Sequence, residues 1–241
     1  MNIIAITQAR MGSTRLPGKV LKKVARKTLL EYQLECLKKS EYIKGIVVAT
    51  TREIRDKAIV QLCEQINQPY FRGSEKNVLE RYYLAAKQFK ADIVVRITSD
   101  CPVIDIEVVD NIIKKFMENK VDYASNTIER TYPRGMDTEV FTMNALETAY
   151  RNATEQRDIE HVTPYMYFNP KIFRLLNIKN DEDYSKYRWT VDTEEDFELI
   201  EKLILELHMR DQEINLKNLL QVMHENKDWY SINAHIEQKK V

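Results

Sequence analysis

Apolar residues follow two kinds of pattern along this chain. Short unbroken runs rich in β-branched residues stand at NIIAIT (2–7), GIVVAT (45–50) and DIVVRIT (92–98). Runs of that length and composition predict strands buried on both faces. Between them the apolar positions recur three and four apart. Ile54, Ala58, Ile59, Leu62, Cys63 and Ile66 make one face of a helix over 53–66. Val108, Val109, Ile112, Ile113 and Phe116 make another over 105–119, with Asp105 placed to cap its start. Strand, helix, strand, helix in that order predicts parallel strands joined by right-handed crossovers.

Past residue 120 the spacing changes. VDYASN and DTEVFT predict strands, 143–152 and 156–168 predict helices, and KIFRLLNI (171–178) and YRWTV (187–191) predict two further strands. Helices over about 194–209 and 215–224 close the chain. The pattern reads as α/β: one domain over 1–241 with a mostly parallel sheet, carrying an insertion between about 125 and 185.

A chain of 241 residues is long enough to bury a large core without cross-links. Lys plus Arg and Asp plus Glu are 37 each, which argues against a bulk nucleic-acid binder. Cys36, Cys63 and Cys101 form no CxxC pair, so neither a zinc site nor a disulfide framework is expected. A reducing, cytoplasmic setting is the simpler expectation for them. The first residues lack a signal-peptide pattern, and no apolar run reaches bilayer-spanning length, so no membrane insertion is expected.

Directly after the first predicted strand comes QARMGSTRLPGK (8–19), with three basic side chains, two of the chain's five glycines and a proline. Ligands of open parallel sheets bind beyond the carboxyl ends of the strands, where this loop sits. Gly12 can take positive φ and lets a ligand approach the backbone closely. Successive backbone N–H groups there can cradle an anion, and Arg10, Arg15 and Lys19 add full charges, which describes a polyphosphate site. Gly12 and Gly18 have five residues between them and Val20 follows Lys19, so the loop is not a Walker A motif. GxGxxG is absent as well. A surface loop with ordinary ion pairs is the competing reading.

RITSDCPVID (96–105) puts Asp100 at the end of a predicted central strand, and RWTVDTEEDFELIE (188–201) puts Asp192 at the end of another, before a helix. Two aspartates at one sheet edge, opposite a basic loop, suit magnesium, which takes one or two carboxylates and completes its shell with water and phosphate oxygens. They are expected to meet in space and to face Arg10 and Lys19 across a gap that admits the metal and a triphosphate. Each has a plainer alternative: Asp100 as an Asx-turn before Pro102, Asp192 as the lead-in to the capping box Thr193-Glu194-Glu195-Asp196. Cys101 has no motif that would supply it with a base and reads as a packed small residue.

QARMGSTRLPGKVL, VVATT, FRGSEKNVLERYYLAAK, ITSDCPVID and WTVDTEEDFELI together resemble the cytidylyltransferases of sugar-acid activation. This is the group of CMP-KDO synthetase and acylneuraminate cytidylyltransferase, and the likeness is greatest to its spore-coat polysaccharide biosynthesis protein SpsF branch. These motifs span residues 3 to 201. The resemblance implies the nucleotide-diphospho-sugar-transferase-like (Rossmann-like) three-layer fold. It also implies transfer of CMP from CTP to a sugar acid, with release of pyrophosphate, for surface or spore-coat polysaccharide. It assigns Arg10 and Lys19 to the triphosphate, and Ala9, Gly12, Ser13 and Thr98 to the nucleotide. Asp100 and Asp192 become the magnesium carboxylates. Arg72, Gly73, Ser74 and Asn77 are expected against base or ribose, and Arg81 either there or as a helix-surface ion-pair partner. In the insertion, YPRGMDTEVF (132–141) and EHVTPY (160–165) make Arg134, Asp137, Glu139, Glu160, His161 and Thr163 candidates for acceptor contacts. Ile159 stands where that branch commonly has Arg. The resemblance further implies a homodimer through the insertion.

A CDP-forming enzyme acting on a polyol or sugar phosphate is a second reading; it needs an additional basic cluster in the acceptor region for the second phosphate, which Arg130, Arg134 and Arg151 could supply. A third is a nucleotide-binding protein without turnover, which loss of a metal aspartate or of the loop lysine would favour; this chain retains all three residues.

Overall fold

β1 (Ile3–Gln8) is apolar on both faces because both are covered. Ile3 and Ala5 point into one hydrophobic cluster and Ile4 and Ile6 into another. The period-two alternation of a strand thus divides the molecule into two cores with the sheet between them. The structure, a computed structural model, describes residues 1–238.

After β1 come the two-residue strands β2 (Lys23–Val24) and β3 (Lys27–Thr28), then α1 (Leu29–Leu37), β4 (Gly45–Thr51), α2 (Lys57–Gln65), β5 (Tyr70–Gly73), α3 (Val78–Gln88) and β6 (Ile93–Thr98). The chain continues through α4 (Ile106–Asn119), β7 (Tyr123–Ser125), β8 (Glu139–Thr142), α5 (Met143–Asn152), α6 (Gln156–His161), α7 (Pro164–Tyr167) and β9 (Leu175–Asn177). It closes with α8 (Glu194–Met209), α9 (Leu216–Glu225) and α10 (Tyr230–Asn233). Seven strands form one sheet in the order β5-β4-β1-β6-β8-β7-β9. β1 pairs parallel with β4 and β6, and β4 with β5. β8 alone runs against its neighbours β6 and β7. Helices α1, α4, α8 and α9 cover one face; α3 and α5 cover the other. This is the α/β arrangement with a mostly parallel sheet that the alternating pattern implies, and the three layers that the resemblance implies. Strands β8 and β9, from the expected insertion, belong to the same sheet, as does β7 at its leading edge. No helix among the described residues is long and apolar enough to cross a membrane.

The structure departs from the sequence pattern in four places. YRWTV is not a strand: its only ladder contact is one bridge between Arg134 and Arg188. The segment is extended and anchored at single points, Trp189 N–H donating to Arg134 O at 2.7 Å and Val191 N–H to Asp100 O at 2.8 Å. Of KIFRLLNI only Leu175–Asn177 pairs. The helix over 156–168 is two helices, broken at Val162, because the chain turns there and Pro164 lacks the N–H to continue a ladder. Finally, β5 was not legible as an apolar run because it is a short edge strand, Tyr-Phe-Arg-Gly, buried only in part.

Candidate active site

Gln8 and Thr98 end β1 and β6 side by side in register. Beyond them the basic loop and the segment after β6 open into a cavity of about 410 Å³. The loop is closed by its own backbone: Gly18 N–H donates to Met11 O at 3.0 Å, and Met11 N–H donates to Asp56 Oδ1 at 2.7 Å. Gly18, at φ 70°, is the loop glycine that needs the left-handed region. Gly12 does not adopt positive φ; a Cβ there would lie 2.8 Å from the guanidinium carbon of Arg55, the far end of a flexible side chain that would have to shift. Ala9, Arg10 and Ser13 line the cavity, and Ser13 Oγ also accepts Leu16 N–H at 3.3 Å.

Lys19 lies at the centre. Its ammonium donates to Asp192 Oδ1 at 2.8 Å, to Asp100 Oδ2 at 3.2 Å and to Val191 O at 2.7 Å. The two aspartates therefore do meet, although Asp192 does not end a sheet strand. Val191 N–H and Thr190 Oγ1 both donate to Asp100 O and so lay the segment before Asp192 across Asp100. They also do not face Lys19 across a gap, because Lys19 sits between them. Burial disfavours the lysine's charge, but Asp100 and then Asp192 outweigh it and hold the Lys19 pKa above its ordinary value. Burial likewise pushes Asp100 up, and Lys19 overrides it, so Asp100 is held below the usual carboxylate value.

Asp192 is further neutralised by Arg15 and Arg188, each 3.0 Å from Oδ2. Arg188 also grips the fully buried Asp196, and Asn233 Nδ2 and the Asp192 N–H donate to the same carboxylate. Asp196 closes the capping box with Thr193 as the sequence suggests, but it also positions Arg188 and hence Asp192.

Arg72, Gly73, Ser74 and Asn77 lie outside the cavity lining. Arg72 donates to the carbonyls of Thr51 and Glu53, Ser74 Oγ accepts Asn77 N–H, and Asn77 caps α3. This segment seats Arg81, which packs where a Gly73 Cβ would be. Arg81 lines the cavity, is only 2% exposed, and donates to Ser74 O. Its Nε has no partner, and no carboxylate lies within ion-pair distance among the described residues. It is therefore no surface ion-pair partner. Burial holds its pKa below the ordinary arginine value. A buried cation without an anion is costly, and an anionic ligand in the cavity would relieve that cost.

Of the acceptor candidates, Arg134, Asp137, Glu160 and His161 line the cavity. Glu139 and Thr163 do not. They are buried behind it, where Glu139 pairs with Arg96 and accepts from Tyr123 OH and Thr163 Oγ1, both at 2.6 Å. Asp137 is held bidentately by Arg130. Burial and then Arg130 lower the Arg134 pKa. Thr98 and Asp100 line the same cavity. Cys101 is buried with its thiol pKa pushed well up by burial, which makes it inert.

Sequence reasoning passed over Arg96 and Arg188. A signal existed for Arg96, a charge inside an apolar strand run; nothing in the spacing marked Arg188. The larger cleft of the molecule, about 960 Å³ between α4, α9 and residues 180–184, shares no lining residue with this cavity and gathers no such convergence of charge.

Two carboxylates converging on one cation form a hard oxygen donor set that fits magnesium, whose shell is otherwise water and phosphate. No group of three or more His, Cys, Asp or Glu among the described residues converges on a metal position.

The family model for cytidylyltransferases matches residues 4–233. An uncharacterized protein of Methanocaldococcus jannaschii is 41% identical over 241 residues, covering 99% of this chain and 97% of that one. The spore coat polysaccharide biosynthesis protein SpsF of Bacillus subtilis is 32% identical, covering 94% and 96%. A solved cytidylyltransferase from Leptospira borgpetersenii superposes with a TM-score of 0.90 at 35% identity, over the whole of both chains.

Proposed function

The chain belongs to the cytidylyltransferase family, and from that membership we propose that it transfers CMP from CTP to a sugar acid, with release of pyrophosphate, in polysaccharide synthesis. The observation that carries the reading is the Lys19 ammonium held by Asp100 and Asp192 at the base of a cavity walled by arginines. Phosphoryl-type transfer needs little covalent help from a protein; positioning and charge neutralisation supply most of the rate. Arg10, Arg15, Arg81 and Lys19 provide cations for a triphosphate and for the charge that grows on departing pyrophosphate. Asp100 and Asp192 would hold magnesium, which when bound would neutralise phosphate oxygens. Lys19, displaced from the carboxylates, would then reach the triphosphate from the loop.

Arg134, on the acceptor side and without an ion-pair partner among the described residues, suits the carboxylate of a sugar acid. The CDP-forming reading loses support at this point. It needs an additional basic cluster in the acceptor region, but of the three arginines offered for one, Arg130 is committed to Asp137 and Arg151 lies exposed on α5 against Glu147. We carry over the homodimer and the acceptor role of residues 125–185 as part of the same proposal.

The test is pyrophosphate release with magnesium, each nucleoside triphosphate in turn, and panels of sugar acids and polyol phosphates. CTP with a sugar acid should give release. Turnover only with a polyol or sugar phosphate, or equally good turnover with ATP, would overturn the assignment.

A further inference from the structure

α6 ends at His161, and the next residue carries an unusual backbone. Val162 has φ 74° and ψ −53°, and Thr163 N–H donates to His161 O at 2.9 Å. That is a γ-turn of the positive-φ kind, rare and strained, and here its central residue is β-branched. Val162 is fully buried, Thr163 is tied to Glu139, and Pro164 begins the next helix, so the surroundings hold the turn in place. Such strain persists where it serves a site. Its effect here is to reverse the chain directly after His161 and leave that residue on the cavity wall.

The imidazole is half-buried and has no hydrogen-bond partner among the described residues. The other groups lining the cavity that can take a proton are mostly committed. Asp100 and Asp192 hold Lys19, and Asp137 holds Arg130. Glu160 is uncommitted but exposed. We propose that His161 is the general base for the acceptor hydroxyl, a role that rests on the transfer reaction proposed above.

In that step the hydroxyl oxygen bonds to the α-phosphorus of CTP, and the bond from that phosphorus to the bridging oxygen of pyrophosphate breaks. The hydroxyl proton passes to a ring nitrogen of His161. Pyrophosphate leaves as its anion against Lys19 and the arginines, and the imidazolium returns its proton to solvent. The charges around the ring fit both halves of the cycle. Burial first, then Arg96 and Arg10, favour the neutral base, while Glu160 and Glu139 favour the imidazolium once it forms. The His161 pKa is accordingly below 6.5. A base in that range is ionised correctly at neutral pH.

The experiment compares wild type with His161→Gln and His161→Asn, using CTP, magnesium and the sugar acid that supports turnover. Wild-type kcat should fall on the acid side, below pH 6.5. In folded variants kcat should drop about 10²-fold, the acid limb should disappear, calorimetric CTP affinity should stay unchanged, and added imidazole should restore part of the rate. Variants with wild-type kcat and an intact acid limb would sink the base alone, as would a loss confined to CTP affinity. A wild type that releases no pyrophosphate with any sugar acid would sink the transfer reaction and the base with it.

Discussion

The proposed transfer asks Lys19 to leave the position it holds between Asp100 and Asp192. Its ammonium cannot lie between Asp100 and Asp192 and also lie against a phosphate. Lys19→Met should therefore reduce turnover by about 10²-fold or more, by removing a charge opposite the leaving group. The same change should tighten manganese binding to the nucleotide-free protein by about tenfold, or ~1.4 kcal/mol, because the metal no longer competes with an internal cation. Electron paramagnetic resonance titration reads the second effect, and unchanged or weaker manganese binding in a folded variant would contradict it. Stability carries the same signature. The raised Lys19 pKa makes a contribution that is complete below pH 10.5 and is lost as pH rises through the folded value. The lowered Asp100 pKa makes one that is present above pH 3.8 and is lost as pH falls through the folded value. Urea unfolding of Lys19→Met across pH should show no alkaline loss of this kind; a variant that tracks wild type above pH 10.5 would refute the pairing.

At the scale of elements, the segments that build the site are those that periodicity describes least well. Residues 187–191 alternate like a strand yet make no ladder, because single hydrogen bonds to Arg134 and Asp100 satisfy them instead. The γ-turn at Val162 falls inside 156–168, which reads as one helix in the sequence, and only Pro164 hinted at a break. Arg72, Ser74 and Asn77 have the residue types of a ligand site and also hold local backbone: Arg72 bonds the carbonyls of Thr51 and Glu53, Ser74 accepts Asn77 N–H, and Asn77 caps α3. In contrast, Lys19, Asp100 and Asp192 were legible, Lys19 from the basic glycine-containing loop after β1 and the two aspartates as charged residues at the exit of apolar runs. The anchor of Asp192 is less visible from sequence but open to test. Asp196→Ala would leave Arg188 buried beside an empty position and remove the carboxylate half of the α8 capping box, while the Thr193 cap on the residue 196 N–H stays. A loss of about 3–5 kcal/mol in unfolding free energy is expected, together with weaker nucleotide binding. A change below about 1 kcal/mol, the size of an ordinary cap loss, would mean that Asp196 serves the helix start alone.

Over the whole molecule, the two-sided burial of β1, β4 and β6 made the parallel core readable, since only a strand covered by helices on both faces can be uniformly apolar. The antiparallel β8 and the short β7 and β9 were not readable as to order or direction, because both depend on pairing across the sheet rather than on local pattern. Net charge told little for a related reason. The 37 acidic and 37 basic residues cancel over the chain, while the cavity gathers arginines and a lysine at one sheet edge. The central claim is that this edge joins CMP to a sugar acid, and the phosphorus NMR spectrum of the isolated product tests it most directly. The account predicts a single phosphodiester resonance joined to the sugar, with the β- and γ-phosphates of CTP recovered as pyrophosphate. A product with two coupled phosphorus resonances would mark a CDP compound and contradict it.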